Sequence, residues 1–568
     1  MAKIVKKKKR KLGARSAAGA ASREQSPERP LYIERFAPCG MEGCPNHNPI
    51  RKIMRIINNY DFKDRTEEET WRECFEVWSE KTCLPSTMGR VCPALCEDKC
   101  NRKDVEGNAV HIRCVERFLG DWALEHDIQY DTSGAEKQPE KIAIIGAGPA
   151  GLNCAYHLAK LGYSATIFEA FSKPGGMLRY GIPDYRLPPD IMDKEVQRLT
   201  NMGVTIKYNT IIGKDIPYEE LKSDYDAIFV GIGAHKGYTL GVNGEDAENV
   251  MTGTGFLNSV NSGDPVEVGD KVLVIGGGDT AIDAARICRR LGADVTIVYR
   301  RTIKEMPAIE PEIDEAQKEG IKIDFLAAPV EIKRNNGRAV GMRCIRMELG
   351  EPDASGRRRP VPIEGSEFEM DATFIIPAIS QEPDFEPLEH LHEGRDWIKI
   401  DDKGKVKTTD ENVYAGGDAT NLGLATVAQA QGQFAAMAMH RSFRGLPDPE
   451  APKMEVVHVD PLHINKDFWI EKHQKAQLET HIPVEEALAE LTKETTHTYT
   501  EQEARDEAAR CMSCGLCFDC ENCFKFCQDN AVIRPLEKGG KYEFKMENCI
   551  GCKKCAEQCP CGYIDMKL

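Results

Sequence analysis

The amino-acid sequence predicts an α/β fold of several domains, and three observations support this prediction. The chain has 568 residues, which is more than one hydrophobic core holds, so we expect three or more domains. A strand, a glycine-rich turn, a helix and a second strand follow one another from Lys141, and the same order begins again at Lys271. Most of the 22 cysteines lie outside these two units, towards the chain ends.

Composition shifts along the chain indicate the domain boundaries. Charge-rich and proline-rich stretches separate the cysteine-bearing ends from the glycine-rich middle. In chain order we predict a disordered basic tail at 1–30, a helical cysteine-bearing domain at 31–130, a first nucleotide-binding domain at 140–255 and 382–443, a second at 256–381, a linker at 444–505 and a cysteine-dense domain at 506–568. The basic tail is either a solvated segment or a docking arm for an acidic partner.

Charge and hydropathy exclude several functions. The net charge of −16 argues against nucleic-acid binding. No run of 18 apolar residues is present, so we expect no membrane-spanning helix. The basic start has no apolar core after it and is not typical of a secretory signal, so we expect a cytoplasmic protein. A disulfide scaffold would be short, so the cysteines indicate metal clusters.

The first glycine-rich unit, KIAIIGAGPAGLNCAYHLAKLGYSATIFEA, predicts a dinucleotide site. Gly146 allows the tight turn after the strand, Gly148 lets the backbone approach a pyrophosphate, and Gly151 lets helix and strand pack closely. The helix N-terminus offers free N–H groups to the phosphates. Glu169, at the end of the second strand, can accept hydrogen bonds from a ribose. We assign to this site Gly146, Gly148, Pro149, Ala150, Gly151 and Glu169.

Two further segments indicate which dinucleotide this unit binds. The loop FSKPGGMLRYGIPDYRLP and the later turn ENVYAGGDATNLGLATVAQAQGQFAA can together wrap a large, permanently held cofactor. They resemble the two-dinucleotide-binding-domain flavoproteins, and the resemblance implies FAD, with Asp418 bonded to its ribityl and pyrophosphate region. The alternative for Asp418 is an ordinary helix N-cap. The added FAD residues are Gly176, Leu178, Arg186, Gly417, Asp418 and Thr426.

The second unit, KVLVIGGGDTAIDAARICRRLGADVTIVYRRT, repeats the plan of the first. Gly276, Gly278 and Ala281 take the three glycine positions, because alanine is allowed at the third. Asp279 and Thr280 complete the turn at the start of the helix. We therefore predict a second nucleotide site here.

The second strand of this unit ends in two arginines instead of an acid. Guanidinium groups bind phosphate oxygens through two parallel hydrogen bonds. Arg300 and Arg301 therefore favour the 2′-phosphate of NADPH over NADH. The alternative is that they cap the strand or pair with Glu305 or Glu310.

Two nucleotide sites in one chain indicate that one nucleotide stays bound while the other comes and goes. Hydride passes between nicotinamide and flavin by proximity, and the cofactors carry the chemistry. We therefore predict no catalytic acid, base or nucleophile. Cys154, just after the first glycine turn, has no partner cysteine nearby in sequence.

The C-terminal cysteines show the spacing C-x2-C-x2-C-x3-C twice, which is the two-cluster ferredoxin pattern. Three cysteines of each run bind one [4Fe–4S] cluster and the fourth binds the other. Structural zinc is the alternative, but a zinc site uses four ligands in two pairs and does not need a double run of eight cysteines. The predicted sets are Cys517, Cys520, Cys523 and Cys559 for one cluster and Cys527, Cys549, Cys552 and Cys555 for the other. The remaining thiols are Cys511, Cys514 and Cys561, of which the first two could alter this assignment.

The N-terminal cysteines form a third group whose spacing alone does not decide between zinc and iron–sulfur. The motifs CP-x-H-N-x-I at Cys44–Ile50 and RVCP at 90–93 resemble the glutamate synthase small-subunit family, whose cysteine domain is shared with dihydropyrimidine dehydrogenase. That resemblance implies two [4Fe–4S] clusters, with Glu116 as a ligand. The predicted ligands are Cys39, Cys44, Cys92, Cys96, Cys100 and Glu116.

This chain departs from the family at its first cysteine run. The family has four cysteines there, and this chain keeps only Cys39 and Cys44. One cluster is therefore supported and the second stays open, with Cys83 and Cys114 as substitutes or as buried apolar residues.

The resemblance covers about residues 31–440, and the added C-terminal module is similar to fused variants of the family. These variants connect NAD(P)H with the dissimilatory sulfite reductase system or with ferredoxin-linked aromatic-ring reduction. We expect an NAD(P)H:acceptor oxidoreductase with FAD, [4Fe–4S] clusters and a redox partner such as ferredoxin or a reductase complex, as a homo- or hetero-oligomer. The alternative is an obligate electron-input subunit of a larger enzyme. Clusters at both ends predict two separate routes for electrons.

Overall fold

The computed structural model describes residues 24–354, 356–386, 388–392, 397–406, 411–450, 453–462, 464–465, 476–537 and 539–568. Residues 1–23, most of the predicted basic tail, lie outside this range. Within the described ranges no helix is both long and apolar enough to span a bilayer.

A helical domain that carries the first group of cysteines opens the described chain. Helix Glu67–Trp78 begins at Thr66 with a capping box that pairs Thr66 and Glu69, which satisfies free N–H groups of the first turn. Gly120 lets two helices approach closely, because a Cβ there would lie 2.2 Å from the backbone nitrogen of Ser86. The elements are the π-helix Cys39–Gly43 and the helices Ile50–Ile57, Glu67–Trp78, Pro85–Val91, Leu95–Asp98, Asn101–Glu106 and Ile112–Glu125.

The first nucleotide-binding unit is a parallel five-stranded sheet with helices on both faces. Its central strands are runs of buried apolar residues, as expected where helices cover both faces. The strand order is Val413–Ala415, Ala227–Val230, Lys141–Ile145, Ser164–Phe168 and Thr205–Lys207. The helices are Pro149–Lys160, Met177–Tyr180, Pro189–Asn201, Tyr218–Asp224 and Ala425–Arg444.

The second unit has a parallel four-stranded sheet in the order Phe374–Pro377, Lys271–Ile275, Asp294–Tyr299 and Lys322–Phe325. Its helices are Gly253–Ser262, Asp279–Arg290 and Glu310–Lys318. An antiparallel sheet beside it contains Ala327–Asn335, Arg338–Pro352, Arg358–Pro362 and Phe368–Asp371. Short strands Lys236–Gly237 and Gln381–Glu382 pair where the chain passes between the two units.

The two ends of the described chain lie together. Strand Arg29–Tyr32 pairs antiparallel with Ile564–Lys567, so Arg29 and Pro30, which we predicted in the tail, belong to a strand. The C-terminal module also contains helices Glu501–Ala509, Asn522–Lys525 and Lys554–Glu557 and the paired strands Val532–Ile533 and Glu543–Phe544.

The predicted linker also contains ordered structure. It includes helix Val484–Ala489, and its Glu494 accepts hydrogen bonds from Arg90 and Arg117 of the first domain, each at 2.7 Å. The predicted α/β fold class, with an N-terminal helical domain and a cysteine-rich C-terminal module, is confirmed.

Candidate functional site

A cavity of about 450 Å³ lies between the two nucleotide-binding units. It opens at the carboxyl ends of the first sheet's strands, where ligands bind in open α/β sheets. Of the residues that we predicted for FAD, the lining includes Gly146, Gly148, Pro149, Ala150, Glu169, Gly176, Leu178, Arg186, Gly417, Asp418 and Thr426. Gly151 lies behind this wall.

The glycines of the first unit differ in the space around them. A Cβ on Gly148 would meet no atom within 4 Å, whereas a Cβ on Gly151 would lie 2.0 Å from the carbonyl oxygen of Gly146. Gly146 has a φ of +102°, a conformation that L side chains rarely adopt. Gly148 therefore leaves the backbone open to the cavity, while Gly151 holds the helix against the strand.

Glu169 holds the glycine turn through hydrogen bonds to the backbone. Its side chain is buried, and its two carboxylate oxygens accept hydrogen bonds from the backbone N–H of Ala147 at 2.6 Å and of Phe171 at 2.8 Å. Burial raises the pKa of this carboxyl. Glu169 also lines the cavity, so its carboxylate is placed to accept a bond from a ribose hydroxyl there.

Asp418 faces the same cavity from the opposite side. Its carboxylate accepts a hydrogen bond from the backbone N–H of Gly423 at 2.9 Å, and burial raises its pKa to about 6. Helix Ala425–Arg444 has Leu424 at its N-cap, so the N-cap alternative for Asp418 is not what the structure shows.

The second unit contributes the far wall of the cavity. Asp279 and Thr280 line it, whereas Gly276, Gly278 and Ala281 form the turn outside the lining. Arg186 of the first unit pairs with the buried Asp283 of the second at 2.8 Å. This ion pair connects the two units beside the site.

The two arginines at the end of strand Asp294–Tyr299 have different surroundings. Arg301 is 5% exposed, pairs with Asp353 at 2.7 Å and donates to the carbonyl of Arg358 at 2.8 Å. Arg300 is exposed. The carboxylate of Glu305 accepts hydrogen bonds from Thr302. Arg301 is therefore held by Asp353, a partner that we did not predict, and Arg300 is the arginine that faces solvent.

The first cysteine cavity lies next to the nucleotide cavity. Cys44, Cys92, Cys96 and Glu116 line it. Glu116 is buried, accepts a hydrogen bond from the indole N–H of Trp78 at 3.0 Å, and has a pKa raised to about 8 by burial. Cys92 and Thr426 line both this cavity and the nucleotide cavity. The two cavities therefore share a wall.

The other two predicted N-terminal ligands lie elsewhere. Cys39 and Cys100 line a second cavity together with Cys511 and Cys514 of the C-terminal module. We left Cys511 and Cys514 outside the two ferredoxin sets, and the structure places both beside cysteines of the first domain. Ile50 lines both N-terminal cysteine cavities.

The C-terminal cysteines form two groups. Cys527, Cys549, Cys552 and Cys555 line one cavity. In the other group, burial and then the charges of Cys520, Cys559 and Cys517 raise the pKa of Cys523. Both groups contain cysteines of the predicted ferredoxin sets, and the division into two ligand sets stays a prediction. Cys561 lies beside them, with its Sγ 3.6 Å from that of Cys559.

The cysteine groups suit clusters better than single ions. Within the described ranges, no three His, Cys, Asp or Glu side chains converge on one point where a single metal ion could bind. A [4Fe–4S] cluster instead needs thiolates arranged around a larger space. Cys83 and Cys114 are buried and line none of these cavities.

The cysteine groups also follow one another through the molecule. The cavity of Cys44, Cys92 and Cys96 shares a wall with the nucleotide cavity, and the cavity of Cys39 and Cys100 shares Ile50 with that first cysteine cavity. Arg55 connects the second cysteine cavity with the ferredoxin cysteines, because it donates hydrogen bonds to the Oγ of Ser513 and to the carbonyl of Cys517, both at 2.7 Å. The expectation of two separate electron routes stays a prediction. Both ends of the chain contribute to one series of sites.

Comparison with known proteins places the chain in a family. The model of the pyridine nucleotide-disulphide oxidoreductases matches residues 140–432, and that of dihydropyrimidine dehydrogenase domain II, 4Fe-4S cluster, matches residues 21–128. The chain is thus an FAD- and iron–sulfur-dependent NAD(P)H oxidoreductase. It belongs to the pyridine nucleotide-disulphide oxidoreductase family, and its resemblance to the glutamate synthase small subunit is confirmed.

Three curated relatives show the range of this likeness. The NADPH-Fe(3+) oxidoreductase subunit beta of Geobacter sulfurreducens is 37% identical over 86% of this chain and 77% of its own. The NADP(+)-dependent formate dehydrogenase subunit beta of Moorella thermoacetica is 35% identical over 87% and 73%. The glutamate synthase [NADPH] small chain of Escherichia coli is 35% identical over 69% and 86%.

Proposed function

We propose that this chain carries electrons between a nicotinamide nucleotide and a redox partner protein, as an NAD(P)H:acceptor oxidoreductase of the ferredoxin type. The observation that supports this is the shared wall of the nucleotide cavity and the first cysteine cavity, formed by Cys92 and Thr426. FAD, when bound, supplies hydride exchange with the nicotinamide and single-electron exchange with the clusters.

The side chains around the cavity hold and orient the nucleotides. Gly148 gives the pyrophosphate access to the backbone and to the N-terminus of helix Pro149–Lys160, where free N–H groups bind anions. Glu169 holds the turn and accepts from the ribose, and Asp418 accepts from the ribityl side. Asp279 and Thr280 lie at the start of a second helix on the opposite wall, which suits the exchangeable nucleotide.

We propose NADPH as that nucleotide. Arg300 is exposed at the end of a strand where the first unit has Glu169, and a guanidinium there favours a 2′-phosphate. Two of the relatives above carry NADPH in their names, and a third carries NADP(+). Arg301 supports the strand end through Asp353 instead of contacting the nucleotide.

We propose cluster ligands from the cysteine groups that line the cavities described above. Glu116, Cys44, Cys92 and Cys96 would hold the cluster next to FAD. The two ferredoxin sets, Cys517, Cys520, Cys523 and Cys559, and Cys527, Cys549, Cys552 and Cys555, would hold the clusters nearest the partner.

A variant of the terminal cluster tests this function. In protein purified without oxygen, Cys552→Ser removes a proposed ligand of the second ferredoxin cluster, so we expect reduction of ferredoxin by NADPH to fall at least about tenfold. Bleaching of the flavin by NADPH stays unchanged, because the nucleotide cavity is untouched. Cys344→Ser is the control, since Cys344 lies in the core beside the second unit and lines none of the cavities described. Equal ferredoxin rates in the two variants would contradict the proposal.

A second candidate is an obligate electron-input subunit of a larger enzyme, and the relatives named as a beta subunit or small chain favour it. Size-exclusion chromatography combined with NADPH-linked viologen reduction distinguishes the two. Rapid turnover by the isolated chain would contradict the obligate subunit. We propose a cytoplasmic protein whose acceptor belongs to dissimilatory sulfur metabolism, which partner capture from the native cell would test.

A further inference from the structure

Four half-buried cysteines from opposite ends of the sequence line one small cavity. Cys39 and Cys100 come from the first domain, and Cys511 and Cys514 follow helix Glu501–Ala509 near the C-terminus. Burial, and then the charges of Cys100, Cys514 and Cys511, raise the pKa of Cys39. The four thiols are therefore close neighbours around one cavity.

We propose that Cys39, Cys100, Cys511 and Cys514 together hold one [4Fe–4S] cluster, ligated by both ends of the chain. Four thiolates are the ordinary ligand set of such a cluster. A structural zinc site would also use four thiolates, but its ligands must converge on one ion, and no such convergence exists among the described residues. All four cysteines are free of disulfides. The assignment does not depend on which nucleotide or partner the enzyme uses.

The C-terminal ligands are held in the first domain by a buried polar network. Arg510 is 2% exposed and donates to the carbonyls of Ala109 at 2.8 Å and Asn108 at 3.0 Å. Glu507 is fully buried and accepts from the backbone N–H of His111 at 2.8 Å. Buried charges of this kind persist only where partners satisfy them. Helix Glu501–Ala509 is therefore docked in place, and the cysteines that follow it are fixed.

Further hydrogen bonds fix the loop that carries the two cysteines. Arg51 donates to the carbonyl of Cys514 at 2.9 Å, and Arg55 donates to the Oγ of Ser513 at 2.7 Å. Arg102 donates to the carbonyl of Arg510. Three guanidinium groups thus surround this loop, and their charge suits an anionic cluster.

The sulfur atoms also receive hydrogen bonds. The side-chain amide of Asn101 donates to the Sγ of Cys514 at 3.4 Å, and the backbone N–H of Ser513 donates to the Sγ of Cys511 at 3.4 Å. Such bonds to ligating sulfurs are one of the means by which proteins set cluster potentials. The remaining walls are largely apolar, formed by Ala37, Ile50, Met54, Val110, Ile112 and Met512.

The backbone shows where the cysteine run divides. From Cys511 to Cys523 a cysteine occurs at every third position, so spacing does not separate the ligands of one cluster from those of the next. Gly515 has a φ of +83°, and a Cβ there would lie 2.1 Å from the carbonyl oxygen of Arg35. The chain turns at this glycine, which leaves Cys514 on the side of the first domain and Cys517 in the ferredoxin module.

The proposal predicts that ligands from the two ends behave as one unit. In full-length protein purified without oxygen, we expect Cys39→Ser and Cys514→Ser each to lose about four irons and about four sulfides per chain. Both variants lose the same component of the electron paramagnetic resonance spectrum of the reduced protein. The double variant loses no more than either single one, since the two residues serve one cluster.

Controls separate this result from general damage. Cys74→Ser changes a buried cysteine of the same domain that lines none of the cavities, and we expect it to keep its iron. Cys517→Ser combined with Cys514→Ser should lose about eight irons, because those residues belong to different clusters. Three results would overturn the proposal. The first is full iron content in Cys514→Ser, and the second is a loss of about eight irons in the double variant Cys39→Ser with Cys514→Ser. The third is one zinc per wild-type chain that both single variants lose.

A milder variant tests the same site if the cysteine variants do not fold. Asn101→Leu removes the hydrogen bond to the Sγ of Cys514 and leaves all four ligands in place. We expect the iron content to stay at the wild-type value and the potential of one cluster to become more negative, because a donor to its sulfur is lost. Unchanged potentials of all clusters would overturn the proposal.

Discussion

The two nucleotide-binding units share one backbone plan and differ at two positions that decide how each holds its ligand. The third position of the glycine motif is Gly151 in the first unit and Ala281 in the second, and the second strand ends with Glu169 in the first and Arg300 in the second. Gly151 has no room for a methyl group, and Glu169 is buried with both oxygens bonded. Arg300 is exposed.

This difference separates a fixed site from an open one. In the first unit the acid is part of the turn, so the turn and the site are one packed structure. In the second unit the charged group is Arg300, which is exposed at the strand end, where we propose that it binds the 2′-phosphate of NADPH. The first unit therefore has its acid inside the packed turn, and the second has an exposed cation at the same place.

The largest expected effect comes from the third glycine position. In Gly151→Ala the added methyl lies 2.0 Å from the carbonyl oxygen of Gly146, so helix and strand must separate, at a cost of about 4 kcal/mol or more. We expect loss of FAD and of most folded protein, measured by flavin content and circular dichroism. Ala281→Gly is the matched control and should cost only about 1–2 kcal/mol. Normal FAD content in Gly151→Ala would show that the two turns do not differ as described.

The next effect concerns Asp418 and Asp283, which lie on different walls of the cavity. Burial raises the pKa of each carboxyl to about 6. Asp418 accepts from Gly423 and has no ion-pair partner in the described structure, whereas Asp283 pairs with Arg186 at 2.8 Å. The folded state keeps the proton of Asp418 up to pH 6, and the unfolded state releases it near 3.8. The ionised form therefore destabilises the fold above pH 6, and the penalty decreases as the pH falls.

We expect Asp418→Asn to stabilise the protein by about 3 kcal/mol at pH 8 and by about 1.5 kcal/mol at pH 5. Asn keeps an acceptor for Gly423. For Asp283→Asn the raised pKa gives the same sign, but loss of the ion pair with Arg186 offsets it, so we expect a smaller stabilisation than for Asp418→Asn. Thermal unfolding of both variants between pH 5 and pH 8 measures this. A stabilisation by Asp418→Asn that does not grow with pH would contradict the raised pKa.

Features of the site that follow from local pattern were predictable from the sequence. The turn at Gly146, the acid Glu169 and the two parallel sheets depend on residues within one strand–helix–strand unit. The ferredoxin sets depend on spacing within short cysteine runs. Each of these patterns fixes backbone geometry over a few residues, so the local sequence is sufficient to predict it.

The features that were missed depend on contacts between distant positions. Cys511 and Cys514 continue the spacing of their neighbours, and long-range contacts such as those of Arg510 and Glu507 with the first domain show where they belong. The pairing of Arg301 with Asp353 joins a strand end to a separate sheet. No periodicity in the sequence reports such partners, because each residue is an ordinary member of its own segment.

The smallest expected effect tests the exposed cation of the second unit. Arg300→Ala removes a hydrogen-bonding partner of the proposed 2′-phosphate, which corresponds to about 2 kcal/mol or a rise of about 30-fold in the KM for NADPH. The KM for NADH stays unchanged, since NADH has no phosphate there. Lys304→Ala is the control, an exposed cation close by in sequence, and should alter neither value. Steady-state reduction of a viologen with each nucleotide measures the ratio. An equal rise in KM for NADPH and NADH would mean that Arg300 supports the strand end as Arg301 does. Arg300 and Glu169 would then differ in packing and not in ligand binding.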